Sequence, residues 1–352
     1  MPHHSARFRA AIVTTVAALA VIAGCSSPGG ASTGPASSPS GSSSVAPAAT
    51  TYPLTITQPD GSTATIPQRP TRVVTIDNPT FGTQLLHVLG VTPLGGLVYS
   101  QPPTALTDGR GIPTSLNLTD FKPLGAAPST PDLEAIAAVK PDLIVGVNGT
   151  RSANLPQLQA IAPVIDIDIS GARPGEGLAR LPWYEELQLL AKVFDQQATA
   201  DDFLAKFEAE AAKVRPILQG KVYSLLVPGA KIQNFYDDGP TFQGNLFLTY
   251  LGLTLAPLPS GGEPLTPSRP TDASVLSIER VGDLTAPYLI VNAFIKDASG
   301  DQFLAHPLVK KLPAVTTGRV IVPTPEFGQF VGGPIEQLAA ISVVGKAFAA
   351  LP

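Results

Sequence analysis

The chain has 352 residues, with 23 Lys and Arg against 27 Asp and Glu, and 44% of its residues are hydrophobic. This length accommodates two domains of ordinary size, and the mildly acidic balance argues against a general nucleic-acid-binding protein. The single cysteine excludes an intrachain disulfide, a cysteine zinc site and an iron–sulfur cluster.

The N-terminus carries the pattern of an export signal. Arg7 and Arg9 precede an apolar run at 10–23, which is too short to span a bilayer as a mature helix. The sequence IAGCS at 22–26 follows and resembles a bacterial lipobox, in which the cysteine becomes the lipidated first residue. We therefore expect a signal peptide over 1–24 and a lipid on Cys25.

A low-complexity segment follows the lipobox. Residues 25–51 are rich in Ser, Gly, Pro and Ala and contain no charged side chain. Such a segment cannot bury enough apolar surface to offset its ordering entropy, so it predicts a disordered tether. We expect the folded part to lie outside the cell, anchored to the membrane by the lipid.

Residues 52–180 predict an N-terminal α/β lobe. The segment around Asp60-Gly61 indicates a hairpin, and apolar runs then alternate with amphipathic segments at parallel-sheet spacing. The predicted strands are 72–76, 92–98, 142–147 and 164–167, and the predicted helices are 79–90, 131–139 and 153–161.

Two successive amphipathic helices then interrupt the alternation and predict an inter-lobe connection over 181–216. The first, 182–194, carries an apolar stripe that begins at Trp183. The second starts at Thr199, which forms a capping-box-like pair with Asp202.

Residues 217–352 predict a second α/β lobe of similar design. Its predicted strands are 221–228, 231–236, 287–292 and 319–323, and its predicted helices are 243–251, 274–282 and 334–349. The sequence thus predicts two Rossmann-like lobes joined by a long helical connection.

One short pattern occurs in both halves. Residues 131–145 and 273–291 each contain an apolar residue followed by a glutamate, a short helical remainder, a proline and a hydrophobic strand. The two glutamates are Glu134 and Glu279. On a helical period Glu134 projects away from the apolar side of its segment, so it is expected to be exposed.

Together these segments resemble the substrate-binding lipoproteins of ABC importers for ferric siderophores, haem and cobalamin. The matching segments occur in family order: RPTRVVTI (69–76), LLHVLGVTPLG (85–95), PDLEAIAAVKPDLIV (131–145), LQAIAPV (158–164), PWYEELQLLAKVF (182–194) and HPLVKKLPAVTTGRVIVP (306–323). The resemblance implies the bilobal class III periplasmic-binding-protein fold, a monomer with modest lobe closure, a ferric-siderophore ligand and an ABC transporter permease as partner.

The resemblance also implies a role for the repeated glutamates. In this family each lobe bears a surface glutamate that meets an arginine of the permease, and motif matching carries this role to Glu134 and Glu279. The alternative is a solvated charge near the start of a helix, where the helix dipole favours an acidic side chain.

The ligand is expected between the lobes, on loops at the carboxyl ends of strands. Cationic side chains suit an anionic ferric chelate, and tyrosines offer aromatic walls with a hydroxyl donor. The candidates are Arg151, Tyr99, Tyr236, Lys231, Arg269 and Trp183. For each the alternative is an ordinary surface or core role, and for Trp183 packing on the helix stripe is favoured.

Other functions remain open. Haem or cobalamin could replace the siderophore, although His87 and His306 are the only histidines after the signal peptide, which weakens haem and excludes a histidine-rich zinc receptor. An arginine that hydroxamate binders of this class place before the Pro-x-Leu-Glu motif is absent. An accessory ligand-sensing lipoprotein is a second possibility. A secreted hydrolase is disfavoured because no catalytic motif is present, and no resident cofactor or protein-bound metal is expected.

Overall fold

The computed structural model describes residues 50–352, apart from 59–60, 78–80, 99–111, 117, 127–129, 148–153, 169–176, 258, 265–272 and 293–298. Pro47–Pro352 form one compact unit. The predicted signal peptide and Cys25 lie outside the described residues. Within the described part, no helix combines the length and apolar character needed to cross a bilayer.

The N-terminal lobe is built on a six-stranded sheet preceded by a small hairpin. Its elements are β1 Leu54–Thr57, β2 Thr63–Ile66, β3 Val73–Ile76, α1 Gly82–Val88, β4 Gly95–Val98, β5 Lys122–Ala126, β6 Thr130–Pro131, α2 Leu133–Ala138, β7 Leu143–Val147, α3 Leu155–Gln159 and β8 Val164–Ile167. The strand order is β6-β5-β4-β3-β7-β8, and every pair except β5–β6 is parallel. The predicted hairpin and alternating lobe are confirmed.

Two helices connect the lobes, α4 Tyr184–Phe194 and α5 Gln197–Leu218. They meet at Asp195, whose left-handed backbone ends α4. The predicted capping box is wrong, because α5 begins ahead of Thr199 and lacks a side-chain cap. Instead the Thr199 hydroxyl donates to Gln196 Oε1 at 2.7 Å.

The C-terminal lobe is built on a seven-stranded mixed sheet. Its elements are β9 Val222–Pro228, β10 Asn234–Asp238, α6 Gln243–Tyr250, β11 Thr254–Leu255, β12 Glu263–Pro264, β13 Ala273–Ser277, β14 Tyr288–Val291, α7 Gly300–Ala305, α8 Pro313–Thr316, β15 Val320–Ile321, α9 Pro325–Gly328 and α10 Pro334–Ala349. The strand order is β12-β13-β10-β9-β14-β15, with β11 also paired to β9.

The two sheets share a strand order but differ in direction. In each sheet one central strand, β3 or β9, lies fourth in the order, and a later strand that pairs parallel with it, β7 or β14, lies fifth. In the second sheet β10 and β13 are antiparallel to their neighbours. The predicted helix at 274–282 is therefore partly wrong, since β13 occupies its first half and the 3-10 helix Ile278–Asp283 follows.

One apolar cluster is continuous across both lobes. It joins residues of the N-terminal sheet and α1 to α4 and α5, and continues through α6, β9 and α10. At its centre Phe207 has no exposed surface and meets Trp183 and Tyr250 at ring-centroid distances of 5.0 and 5.7 Å. The far face of each sheet carries a smaller cluster of its own. The lobes are thus joined by a shared core as well as by the chain.

The start of the described chain is fastened to the junction of α4 and α5. The Thr50 N–H donates to Asp195 Oδ1 at 2.9 Å, and the Thr50 hydroxyl donates to the Lys192 carbonyl at 3.0 Å. The Tyr52 hydroxyl donates to the Val193 carbonyl at 2.6 Å. These bonds hold the entry of the chain against the inter-lobe connection.

The shared core predicts cooperative unfolding. Phe207→Ala removes a ring of α5 that meets Trp183 at the start of α4 and Tyr250 of α6, so we expect the free energy of unfolding to fall by about 3–5 kcal/mol. Ile217→Ala on the same helix is the control, because Ile217 is 37% exposed and its loss leaves no enclosed cavity. Guanidinium unfolding followed by tryptophan fluorescence and circular dichroism should give coincident transitions. Two separate transitions would contradict a common core.

Candidate functional site

Glu134 lies in the first turn of α2, and its side chain is exposed. The helix packs on the outer apolar cluster of the N-terminal lobe through Ile136, which is fully buried, and through Leu133. Asp132 caps the helix by accepting the Ala135 N–H at 3.0 Å. A helix of only six residues is unstable alone, so these contacts fix the direction in which Glu134 projects.

The C-terminal end of α2 is held by Arg72, the residue that precedes β3. Arg72 Nε donates to the Lys140 carbonyl at 2.8 Å, and its Nη2 donates to the Val139 carbonyl. Asp142 in turn accepts the backbone N–H groups of Thr71 and Arg72, both at 2.8 Å. The carbonyls left free at a helix end are thereby satisfied by a positive group.

Glu279 is exposed in the first turn of the 3-10 helix Ile278–Asp283. Ile278 and Val281 of that turn are buried in the outer cluster of the second lobe. A hydrogen bond from the Ser277 side chain is the main cause that lowers the pKa of Glu279, with contributions from its own backbone N–H and from His306. The carboxylate is therefore charged at neutral pH.

The two glutamates occupy equivalent positions in the fold. α2 leads into β7 and the 3-10 helix leads into β14, and these strands hold the same place in the two sheets. Both elements pack on the outer clusters, away from the core that the lobes share. Next to Glu279, Arg280 is engaged by Asp283 at 2.6 Å and by the Ser260 carbonyl at 2.7 Å. The predicted exposure of both glutamates is confirmed.

The predicted ligand residues are only partly described. Arg151, Tyr99 and Arg269 lie outside the described residues. Tyr236 lies in the middle of β10, opposite Val275 of β13 and Val227 of β9. Lys231 is exposed, with a left-handed backbone at φ +57° between β9 and β10. Their roles in ligand binding stay predictions.

Trp183 lies in the shared core with no exposed surface. Its ring meets Phe203 and Phe207 edge-on, and its Nε1 donates to Gln337 Oε1 at 2.8 Å. In this position its contacts are with the connection and with α10. They favour the packing role over ligand contact.

Asp77 is a buried acid that the sequence analysis missed. It follows β3 directly, at the carboxyl edge of the sheet where ligands of open α/β folds bind, and it is 2% exposed. Its Oδ2 accepts the Gly82 N–H at the start of α1 at 2.6 Å. A side chain at Gly82 would place its Cβ 2.9 Å from this oxygen, so the glycine is required. The sequence does carry a signal for Asp77, because this acid comes directly after a strand predicted to be buried.

A second buried polar group lies between the lobes. Gln84 of α1 and Glu336 of α10 are both buried, and Gln84 Nε2 donates to Glu336 Oε2 at 2.6 Å. Burial raises the pKa of Glu336, although the bonds from Gln84 and Gly333 oppose that shift. Among the described residues, no group of three His, Cys, Asp or Glu is arranged to hold a metal ion.

The comparisons with known proteins decide the family. The model of the periplasmic binding protein family matches residues 81–326, well over half of the chain. The chain belongs to the periplasmic binding protein family. The predicted family resemblance and bilobal α/β fold are thereby confirmed.

A curated relative is the probable siderophore-binding lipoprotein YfiY of Bacillus subtilis. It is 30% identical over 159 residues, which cover 44% of this chain and 42% of the relative. The aligned part is thus less than half of that relative's length.

Solved structures share the fold at low sequence identity. A periplasmic solute-binding protein of Mycobacterium smegmatis has a TM-score of 0.65 at 21% identity, over 85% of this chain and 98% of that one. SirA of Staphylococcus aureus, complexed with staphyloferrin B, has a TM-score of 0.62 at 20% identity, over 84% and 98%. The petrobactin-binding protein YclQ of Bacillus subtilis has a TM-score of 0.63 at 19% identity, over 84% and 98%.

Asp77 predicts a distinct pH dependence of stability. Burial raises the pKa of Asp77 from 3.8 to about 7, against the lowering effect of hydrogen bonds from Gly82, Thr75, Thr83 and Phe81. Because the folded protein then binds this proton more tightly than the unfolded chain, the free energy of unfolding falls as the pH rises from about 4 to about 7. The slope from one such group is up to ~1.4 kcal/mol per pH unit.

Asp77→Asn removes this contribution, so chemical unfolding measured between pH 4.5 and 7.5 should show a shallower decline than in the unmodified protein. Glu336 contributes with the same sign and is retained in the variant. Asp120→Asn, at an exposed position, is the control and keeps the original slope. The same slope in Asp77→Asn and the unmodified protein would show that the Asp77 carboxyl titrates normally.

Proposed function

We propose that this protein is a lipid-anchored receptor that binds a ferric-siderophore complex outside the cytoplasm and delivers it to an ABC importer. Membership of the binding-protein family supports a carrier rather than an enzyme. The iron chelate is the cargo, so its metal is not a resident cofactor. The protein acts as a monomer that meets the permease on its surface.

The names of the relatives support the ligand class. YfiY is described as siderophore-binding, SirA was solved with staphyloferrin B, and YclQ is a petrobactin-binding protein. A ferric chelate of this type is often anionic, and Arg151, Lys231 and Arg269 supply the cationic side chains that would suit it. Haem and cobalamin are the alternative ligands.

The observation that carries delivery to a permease is the matched position of Glu134 and Glu279. An exposed ion pair contributes only ~0–1 kcal/mol, so two such pairs cannot hold a permanent complex. Two charges on separately supported elements can nevertheless set orientation and encounter rate with a cationic partner. Weak, oriented contact is what a protein that must release its partner requires.

Charge reversal tests the docking role. In Glu134→Lys/Glu279→Lys, like charges would face the arginines expected on the permease, so uptake of the iron complex should fall at least about tenfold. Each single reversal should give a smaller loss. Uptake is measured with radioactive iron in cells that depend on this receptor, and ligand affinity of each purified variant is measured in parallel.

Asp201→Lys is the control for this experiment, because Asp201 is an exposed acidic residue on α5, away from the outer clusters. It should leave both uptake and affinity unchanged. Normal uptake by the double variant, at normal abundance on the membrane, would remove the docking role.

A ligand titration tests the cargo. The purified protein should bind one or more ferric siderophores with a Kd of about 1 µM or tighter, detected by quenching of intrinsic fluorescence. The iron-free siderophores should bind more weakly, because they lack the compact chelate. Saturable binding of haem or cobalamin alone would contradict the siderophore assignment and favour the alternative receptor.

A further inference from the structure

Gln84 is wholly buried on α1 of the N-terminal lobe, and its side chain forms hydrogen bonds with the C-terminal helix α10. Its Oε1 accepts the N–H groups of Ile335 at 3.0 Å and Glu336 at 3.3 Å. These belong to the first turn of α10, where backbone N–H groups have no partner within the helix. Gly333, the residue before the helix, has no side chain to accept them.

The side-chain amide of Gln84 donates a hydrogen bond as well as accepting two. Nε2 donates to Glu336 Oε2, which also accepts the Gly333 N–H at 3.4 Å. A side chain at Gly332 would place its Cβ 2.3 Å from the same carboxylate oxygen, so the glycine leaves room for Glu336 to fold back. The cap of α10 therefore consists of one side chain from each lobe.

The elements on either side of this contact are themselves held in place. Within the first lobe, Asp77 holds the start of α1 and the Thr83 and Thr75 hydroxyls are 3.1 Å apart. In the second lobe, Phe348 of α10 packs on Tyr288 of β14, with the ring centroids 5.6 Å apart. Gln84 thus lies in a connected path from the sheet of one lobe to the sheet of the other.

Directional bonds restrict the lobes in a way that the surrounding apolar contacts do not. Apolar contact is non-directional and tolerates small sliding, whereas a hydrogen bond weakens steeply as its angle changes. Rotation of α1 against α10 would strand two N–H groups, an amide and a carboxylate in the core. The motion is therefore opposed at this point.

We propose that Gln84 is a positioning residue that caps α10 across the lobe boundary and so fixes the angle between the two lobes. By the same geometry it fixes the separation at which Glu134 and Glu279 are presented. This second consequence rests on the proposed docking function, but the restriction of the lobes does not.

The test measures the distance between the lobes directly. Nitroxide labels are placed at Gln159→Cys and Lys310→Cys, which are exposed positions in the two lobes, in the full chain with Cys25→Ser. Pulsed electron paramagnetic resonance then gives the distribution of label separations. Gln84→Leu keeps most of the side-chain volume without the hydrogen bonds, and should broaden the distribution at least about twofold.

Two further variants separate positioning from stability. Thr83→Val alters a buried neighbour whose hydroxyl bonds to Thr75 within the first lobe, so it should lower the melting temperature and keep the narrow distribution of label separations. Gln84→Glu combined with Glu336→Gln restores one amide and one carboxylate with their positions exchanged. This double variant should narrow the distribution of label separations towards that of the labelled protein with Gln84 and Glu336 intact. Gln84→Glu alone pairs two carboxyls and should broaden it.

An unchanged distribution in Gln84→Leu would overturn the proposal. So would broadening in Thr83→Val equal to that in Gln84→Leu, because general loosening would then explain both. Iron uptake by Gln84→Leu tests the functional consequence, and a decrease with unchanged ligand affinity supports it. Normal uptake despite a broadened distribution would refute the link to docking, whereas failure of the docking function itself is detected by the charge reversal of Glu134 and Glu279.

Discussion

The apolar layer between the two sheets is the constraint on which this molecule is built. α4, α5 and α10 bury side chains against both lobes at once, with Trp183 and Phe207 at the centre. Because this core belongs to neither lobe alone, separation of the lobes would expose it to water, at a cost proportional to the apolar area uncovered. The molecule is therefore stiff where its lobes meet.

The shared core holds the two lobes together, whereas the outer face of each lobe supports one of the exposed glutamates. Each outer face needs only a small cluster to hold its helices, and these clusters support Glu134 through α2 and Glu279 through a single 3-10 turn. The two supports differ, since an α-helix carries Glu134 and a 3-10 helix carries Glu279, although both follow a strand that pairs antiparallel with its neighbour, β6 or β13. Equivalent presentation of a charge therefore depends on the position of each element in its sheet, and not on identical local structure.

Patterns of local origin were predictable from the sequence. The strand over 164–167 was placed to the residue because a short β-branched run lies between turn residues, and the stripe of α4 gave its buried face. Long-range partners were not predictable: Gln84 is separated from Glu336 by 252 positions, and a glutamine within a leucine-rich helix gives no local signal. The helix expected at 274–282 failed because pairing of β13 with β10 outweighed a short amphipathic pattern. The exposure of the two glutamates was predicted, whereas the acid at Asp77 was missed.

The attachment of Thr50 and Tyr52 beside Asp195 has a mechanical consequence. A force applied to the chain at Thr50 would enter the molecule at the junction of α4 and α5, between the two sheets. An attachment within one sheet would instead load that lobe alone. The position of these three bonds therefore separates the start of the described chain from both sheets.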